Sequence, residues 1–111
     1  MTQAEALALT LVIEAATAAA LSPAFARKPW LGAAAAVAGS LVTHPVLWAV
    51  FGVVHAHFGA MTTPVLEAVV IAAETLAYRA IATPRWTEAA LFSVLANAAS
   101  WDVGVLIYEL T

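Results

Sequence analysis

Hydrophobic residues occur in four long stretches, separated by short segments rich in proline, glycine, histidine or charged residues. A run of about 20 apolar residues is long enough to cross the hydrocarbon core of a bilayer as one helix. We therefore predict an all-α, polytopic membrane protein with a single transmembrane domain over residues 1–111. It is expected to be a four-transmembrane-helix bundle with helices at about 4–24, 31–54, 63–82 and 87–109.

The predicted helix ends coincide with Pro23 and with the segments "RKPW", "HAHFGAMTTP" and "ATPRWT". Proline, glycine and charge typically interrupt apolar helices at such points. The first apolar stretch differs from a signal peptide because Glu5 precedes it, while Arg27 and Lys28 follow it. We expect this stretch to be retained as a helix.

The positive charges predict an orientation. All Lys and Arg residues lie in the first and third connections, at Arg27, Lys28, Arg79 and Arg85. Since loops rich in Lys and Arg remain in the cytoplasm, both termini are expected outside, on the periplasmic side. The predicted location is the bacterial inner (plasma) membrane.

Composition agrees with the bilayer as the main partner, because 64% of residues are hydrophobic and 10% are charged. The absence of cysteine excludes disulfides, thiolate metal sites and a cysteine nucleophile. A net charge of −3 without a basic patch gives no support for nucleic-acid binding.

Aromatic and acidic residues near the helix ends have simple expected roles. Trp30, Trp86 and Tyr78 lie near the predicted inner interface, where aromatic side chains anchor membrane helices. Glu5 and Glu88 are expected to be solvated, and Glu88 also lies in the first turn of the fourth helix, where a negative charge is favourable.

Polar residues within the spans are the main functional signal, because an ionisable side chain at membrane depth costs a few kcal/mol. At 1.5 Å rise per residue, Glu14, Glu74 and Asn97 lie near the midplane. His44 lies at or slightly outside it, and Glu67 lies further out. Every helix therefore contributes a polar group to the middle or outer half of the bundle.

Helical phase predicts that these groups converge. Glu67 and Glu74 lie two turns apart on one face, as Asn97 and Ser100 lie one turn apart on another. Turning the polar stripes inward removes them from lipid. The predicted substrate- or ion-binding site comprises His44, Glu14, Glu67, Glu74, Asn97 and Ser100.

The segment "SLVTHPVLWAV" places His44 directly before Pro45, which removes a backbone hydrogen bond and is expected to kink the helix. Two interpretations of the ring remain open. It is either a ligand or proton carrier, or a neutral ring that is hydrogen-bonded to Glu74 or Asn97 and only holds helices together.

The segments "VTHP" at 42–45, "LEAVVIAAETLAYR" at 66–79 and "ALFSVLANAASWDVG" at 90–104 together resemble a family of small bacterial four-helix inner-membrane proteins of unassigned activity. The shared pattern is T-H-P, two carboxylates seven residues apart, and N-x-x-S. The resemblance implies that the matching residues matter, but it implies no reaction; they are Thr43, His44, Pro45, Glu67, Glu74, Asn97 and Ser100.

The small multidrug resistance transporters are similar in length, helix number and a membrane-embedded glutamate in the first helix, here Glu14. This chain lacks their aromatic and glycine pattern in the third helix, and His44, Glu67 and Glu74 have no counterpart there. The likeness is an analogy.

Three functions are compatible with the sequence. Cation- or proton-linked transport through a pocket that opens to the outside is favoured over an enzymatic role. An intramembrane hydrolase would use a divalent metal ion as cofactor, held by His44, Glu67 and Glu74, with Glu14 as general base. The third possibility is a non-catalytic assembly subunit, whose partner is another copy of the chain or another membrane protein.

Overall fold

The computed structural model describes the backbone of residues 2–110 and the side chains of residues 2–103. Within this range all regular structure is helical, which confirms the predicted all-α class. The α-helices are α1 (Gln3–Leu21), α2 (Pro29–Phe58), α3 (Thr62–Ile81) and α4 (Trp86–Leu110). Short 3₁₀ turns at Ser22–Phe25 and Gly59–Met61 extend α1 and join α2 to α3.

The predicted loop between the second and third helices is wrong. Helical turns continue without interruption over Pro29–Ile81, so the described chain has three continuous helical segments rather than four separate ones. The chain reverses at Gly59, whose φ of 54° and ψ of −122° are readily accessible only to glycine. His55 and His57, which precede it, remain in α2, because histidine does not interrupt a helix as proline or glycine does.

The first connection is organised by the chain's own caps. The Thr2 hydroxyl accepts a hydrogen bond from the Glu5 amide at 3.1 Å and begins α1. At the other end, Ala26 adopts a left-handed conformation with a φ of 56°. Pro29 then occupies the first turn of α2, where its missing N–H needs no partner.

Small residues allow the helices to approach closely. The buried core consists mainly of alanines, and Gly39 of α2 faces Glu74 and Ala77 of α3. The large core side chains are aromatic: Tyr78 and Phe92 stack with ring centroids 5.3 Å apart, and Phe25 packs on Phe92 at 5.4 Å. Tyr78 is fully buried, so its predicted role as an interfacial anchor is wrong.

The outer surface is strongly apolar. Two helical segments, Gln3–Phe25 and Pro29–Ile81, are long and apolar enough to cross a membrane. Only 11% of the residues in the hydrophobic window of each are buried, unlike the core helix of a soluble protein. In α2 every buried residue lies between Gly32 and Ser40. Most apolar side chains in the rest of this helix are exposed.

An ionic cluster ties the connection that follows α1 to the beginning of α4. The Arg27 Nε lies 2.9 Å from Glu88 Oε1, and the Thr83 hydroxyl donates to the same oxygen at 2.9 Å. The Arg85 Nε lies 3.6 Å from the other carboxylate oxygen. Glu88 is therefore an ion-paired residue, and the expectation that it is merely solvated is wrong.

The close contact at Gly32 yields a stability prediction. A β-carbon there would lie 2.9 Å from the Ala18 carbonyl oxygen and 2.5 Å from the Ser22 hydroxyl, whereas one at Gly52 would meet nothing within 4 Å. We expect Gly32→Ala to lower the unfolding free energy by about 1–3 kcal/mol through overpacking.

The matched control, Gly52→Ala, adds the same methyl group to the same helix. It should leave stability unchanged or raise it by up to about 1 kcal/mol, because alanine has the higher helix propensity. The measurement is the unfolding free energy of the purified protein in detergent. Equal effects of the two substitutions would contradict the packing of α1 on α2.

Candidate functional site

Glu14 lies at the centre of the contact between α1, α2 and α4. Its side chain is 1% exposed. One carboxylate oxygen accepts a hydrogen bond from the Ser40 hydroxyl of α2, and the other accepts from the Ser100 hydroxyl of α4 at 3.3 Å. A single side chain of α1 therefore joins two other helices.

Glu74 occupies the equivalent place for α3 and is 2% exposed. Its Oε1 accepts a hydrogen bond from the Asn97 side-chain amide of α4 at 3.3 Å, and its Oε2 accepts from the Thr43 hydroxyl of α2 at 3.4 Å. The contact of Gly39 with Glu74 brings α2 close enough for the second bond. Glu74 thus joins the same two helices as Glu14.

The α4 side of the site is held by further hydrogen bonds. The Asn97 amide nitrogen also donates to the Ser93 carbonyl at 2.8 Å, and the Ser93 hydroxyl donates to the Ile71 carbonyl of α3 at 2.7 Å. Ser100 has a second acceptor in the Asn97 carbonyl at 3.1 Å. Because a hydroxyl has one proton, Ser100 donates either to this carbonyl or to Glu14.

Both buried carboxyl groups have neutral partners. Among the described residues, the ion pairs of Lys and Arg with Asp and Glu all involve Glu88, at the other end of the bundle. A buried carboxylate without a cation is unfavourable by several kcal/mol, since hydroxyl and amide dipoles replace only part of its hydration. Binding of a proton or a cation at Glu14 and Glu74 removes this cost.

A cavity of about 170 Å³ adjoins the carboxyl groups. His44 and Glu67 line it, together with Asn97 and Ser100, which donate hydrogen bonds to Glu74 and Glu14 respectively. The remaining lining residues are Thr10, Leu47, Val70 and Trp101. Asn97 and Ser100 therefore connect the cavity to the buried carboxyl groups through one hydrogen bond each.

His44 is placed in the cavity wall with an unsatisfied nitrogen. Its Nδ1 is buried and has no hydrogen-bond partner among the described residues. The interpretation in which the ring is fixed by a hydrogen bond to Glu74 or Asn97 is therefore not what the structure shows. Buried polar atoms normally have partners, so this nitrogen is a position where a ligand, a water molecule or a proton is accommodated.

The predicted metal ligands do not assemble in the described part of the chain. No three His, Asp or Glu side chains there are close enough together to hold a metal ion. Glu74 faces its hydroxyl and amide donors, whereas His44 and Glu67 face the cavity. A divalent metal cofactor stays a prediction of the sequence.

Two residues that complete the site, Ser40 and Thr43, were not among the predicted site residues. Ser40 is fully buried and donates its hydroxyl to Glu14. Its position one turn before His44 on the same helical face is the sequence signal that points to it. Thr43 belongs to the T-H-P segment of the resemblance, but its link to Glu74 depends on the packing of α2 against α3.

Comparisons with known proteins do not identify the site. No family model matches the chain, and neither the curated proteins nor the solved structures contain a match.

The Ser40–Glu14 bond yields a prediction. We expect Ser40→Ala to lower the unfolding free energy by about 1–3 kcal/mol, because it leaves a buried carboxyl oxygen without its donor. The control is Thr17→Val, which removes a hydroxyl that donates only to the Ile13 carbonyl of its own helix at 2.7 Å.

Thr17→Val preserves side-chain shape and should change stability by less than about 0.5 kcal/mol. Denaturant titration of the three proteins in one detergent measures the difference. A Ser40→Ala protein as stable as the Thr17→Val protein would show that the hydroxyl does not satisfy Glu14.

Proposed function

We propose that the chain is a small integral protein of the bacterial inner membrane that couples proton binding at Glu14 and Glu74 to the movement of a substrate. His44, Glu67, Asn97 and Ser100 form the cavity through which protons and substrate reach the carboxyl groups. In this proposal α1, α2, α3 and α4 each cross the bilayer, with both termini on the periplasmic side.

The proposal rests on the connection between a cavity that has polar residues in its wall and two buried carboxyl groups that have only neutral partners. Asn97 and Ser100 belong to both, since they line the cavity and donate to Glu74 and Glu14. Intramembrane carboxyl groups of this kind typically carry protons in pumps and transporters. A purely structural polar contact would not require a cavity beside it.

The hydroxyl partners suit a carboxyl group that changes protonation state. A serine or threonine hydroxyl donates to a carboxylate and accepts from a protonated carboxyl group by rotating about one bond. Ser40 and Ser100 therefore retain a hydrogen bond to Glu14 in both states. Ser100 has an alternative acceptor in the Asn97 carbonyl, which allows its proton to turn away when Glu14 is protonated.

Membrane insertion is supported by the exposed apolar surface and by the location of charge. Large apolar side chains such as Val42, Val53 and Val69 are at least 60% exposed on α2 and α3. By contrast, the cluster of Arg27, Arg85 and Glu88 lies at one end of the bundle. Apolar sides with a charged end match the profile of a bilayer.

A second candidate, a non-catalytic assembly subunit, is favoured by one observation. Glu14 and Glu74 each connect their own helix to both α2 and α4, which is the arrangement expected of residues that only hold a bundle together. The two candidates differ in whether the carboxyl groups exchange protons with the cavity.

Proton exchange is tested in proteoliposomes that contain a trapped pH-sensitive dye, with an imposed pH gradient. We expect the wild-type protein to dissipate the gradient faster than protein-free vesicles. Glu14→Gln and Glu74→Gln should abolish this flux, because glutamine has nearly the same size and keeps one acceptor oxygen but cannot release a proton. Infrared titration should show a protonated-carboxyl band that each substitution reduces.

The control is Glu5→Gln, which removes an exposed carboxyl group and should alter neither the flux nor the band. If all three variants match the wild type in flux and the two site variants lose only thermal stability, the assembly subunit is the correct function and proton-linked transport is refuted.

The orientation is tested with single cysteines, because the wild-type chain contains none. We expect Ala60→Cys, in the turn after α2, to react with a membrane-impermeant maleimide in intact cells whose outer membrane has been made permeable. Lys28→Cys, before α2, should react only after the inner membrane is opened. Labelling of both or of Lys28→Cys alone would contradict the proposed topology, and the cysteine-free parent measures background.

A further inference from the structure

The structure contains a second polar cavity, at the charged end of the bundle and distant in sequence from His44. It has a volume of about 270 Å³ and is lined by residues 79–84, the last turn of α3 and the connection that follows it. At about 30 Å³ per water molecule in the liquid, this space equals roughly nine waters. It is large enough for a small polar group.

Within the described part of the chain, Arg79 is the only charged side chain in the wall of this cavity. Its Nε is buried and has no hydrogen-bond partner among the described residues. Its guanidinium carbon lies 5.3 Å from the centre of the Trp86 ring, a cation–π contact that holds the group in place. A buried guanidinium donor without an acceptor indicates that an anionic oxygen belongs beside it.

Two neighbouring cations already have an anionic partner. Arg27 and Arg85 both pair with Glu88, and Thr83 donates its hydroxyl to the same carboxylate. Among the described residues, Arg79 takes part in no ion pair. Its charge is therefore available to an external anion.

The rest of the cavity wall requires hydrogen-bond donors from its ligand. The last carbonyls of a helix have no partner within the helix. In α3 the Tyr78 carbonyl accepts from the amides of Ala82 and Thr83. Residues 79–81 line the cavity, and their carbonyls lose their helical donors: the Thr83 amide is engaged at Tyr78, Pro84 has no N–H, and the Arg85 amide donates to the Thr83 hydroxyl. A fitting ligand therefore has an anionic oxygen for Arg79 and an O–H or N–H group for these carbonyls.

The surroundings indicate a ligand that also has an apolar part. Trp86 is 56% exposed and Ile81 is 37% exposed beside the cavity, which is the position of aromatic and aliphatic residues at a membrane interface. We propose that this cavity binds the phosphodiester headgroup of a membrane phospholipid, with Arg79 on the phosphate. The inference rests on the membrane insertion proposed above and is independent of proton exchange at Glu14 and Glu74.

The binding test is native mass spectrometry of the full chain, released from detergent micelles that contain one phospholipid at a time. Phosphatidylglycerol and phosphatidylethanolamine should be retained more strongly than phosphatidylcholine, because the choline headgroup has no O–H or N–H donor. Phosphatidylethanolamine and phosphatidylcholine have the same net charge, so their comparison isolates the hydrogen bonds to the carbonyls.

Arg79→Gln is compared with Lys28→Gln, which removes one exposed charge from the same end of the bundle. A cation that acts only through the surface field contributes about fivefold to the binding of an anionic lipid. Arg79→Gln should weaken phosphatidylglycerol binding by more than about tenfold, since it also removes charge-assisted hydrogen bonds. Arg79→Lys keeps the charge but loses the planar fork, and should recover only part of the affinity.

Three outcomes would overturn the proposal: equal losses in Arg79→Gln and Lys28→Gln, equal retention of all three lipids, or full affinity in Arg79→Lys. Displacement of phosphatidylglycerol by millimolar inorganic phosphate would instead assign the site to a soluble phosphate. The proton flux of Arg79→Gln is measured after reconstitution into vesicles. Because this variant retains Glu14 and Glu74, a normal flux with lost lipid preference separates this site from the proposed function.

Discussion

The burial of Glu14 and Glu74 is the constraint on which the arrangement of the helices depends. A carboxyl group cannot be left among apolar side chains without hydrogen-bond partners, so each helix that faces these residues must supply one. α2 supplies Ser40 and Thr43, and α4 supplies Asn97 and Ser100. A sliding movement of any helix by one turn would break at least one of these bonds.

Small residues make this arrangement possible. Hydroxyl groups on short side chains reach a carboxyl group on another helix only if the backbones are close, and the alanine core and Gly39 provide that approach. The aromatic rings of Tyr78, Phe92 and Phe25 pack against one another in the core. Farther along α2, beyond Ser40, no residue is buried, and the polar cavity lies beside this less closely packed half.

One end of the bundle differs from its interior in electrostatic character. At one end, Glu88 pairs with both Arg27 and Arg85 in an ionic cluster, and Arg79 lies against Trp86. In the interior, Glu14 and Glu74 have hydroxyl and amide partners instead of cations. Charges that are paired near water stabilise the connections between helices. Interior carboxyl groups with neutral partners retain the capacity to bind a proton or a cation.

The sequence by itself determined the helical class, the approximate extent of the helices and the candidate polar residues, because apolar periodicity and helical phase are local properties of the chain. Glu14, Glu74, Asn97 and Ser100 could be recognised in this way. The contacts between these residues could not be recognised. Only the packing decided that Ser40 and Thr43 reach the carboxyl groups while His44 faces a cavity.

The same distinction explains the errors. Tyr78 is of the residue type that anchors helices at membrane interfaces, but it is buried and stacks on Phe92. His55 and His57 remain in α2, and the chain reverses only at Gly59. Phase states which face of a helix a residue occupies, but not which other helix covers that face or at what height. Those are set by close contacts between residues far apart in the chain, and only the tertiary structure contains them.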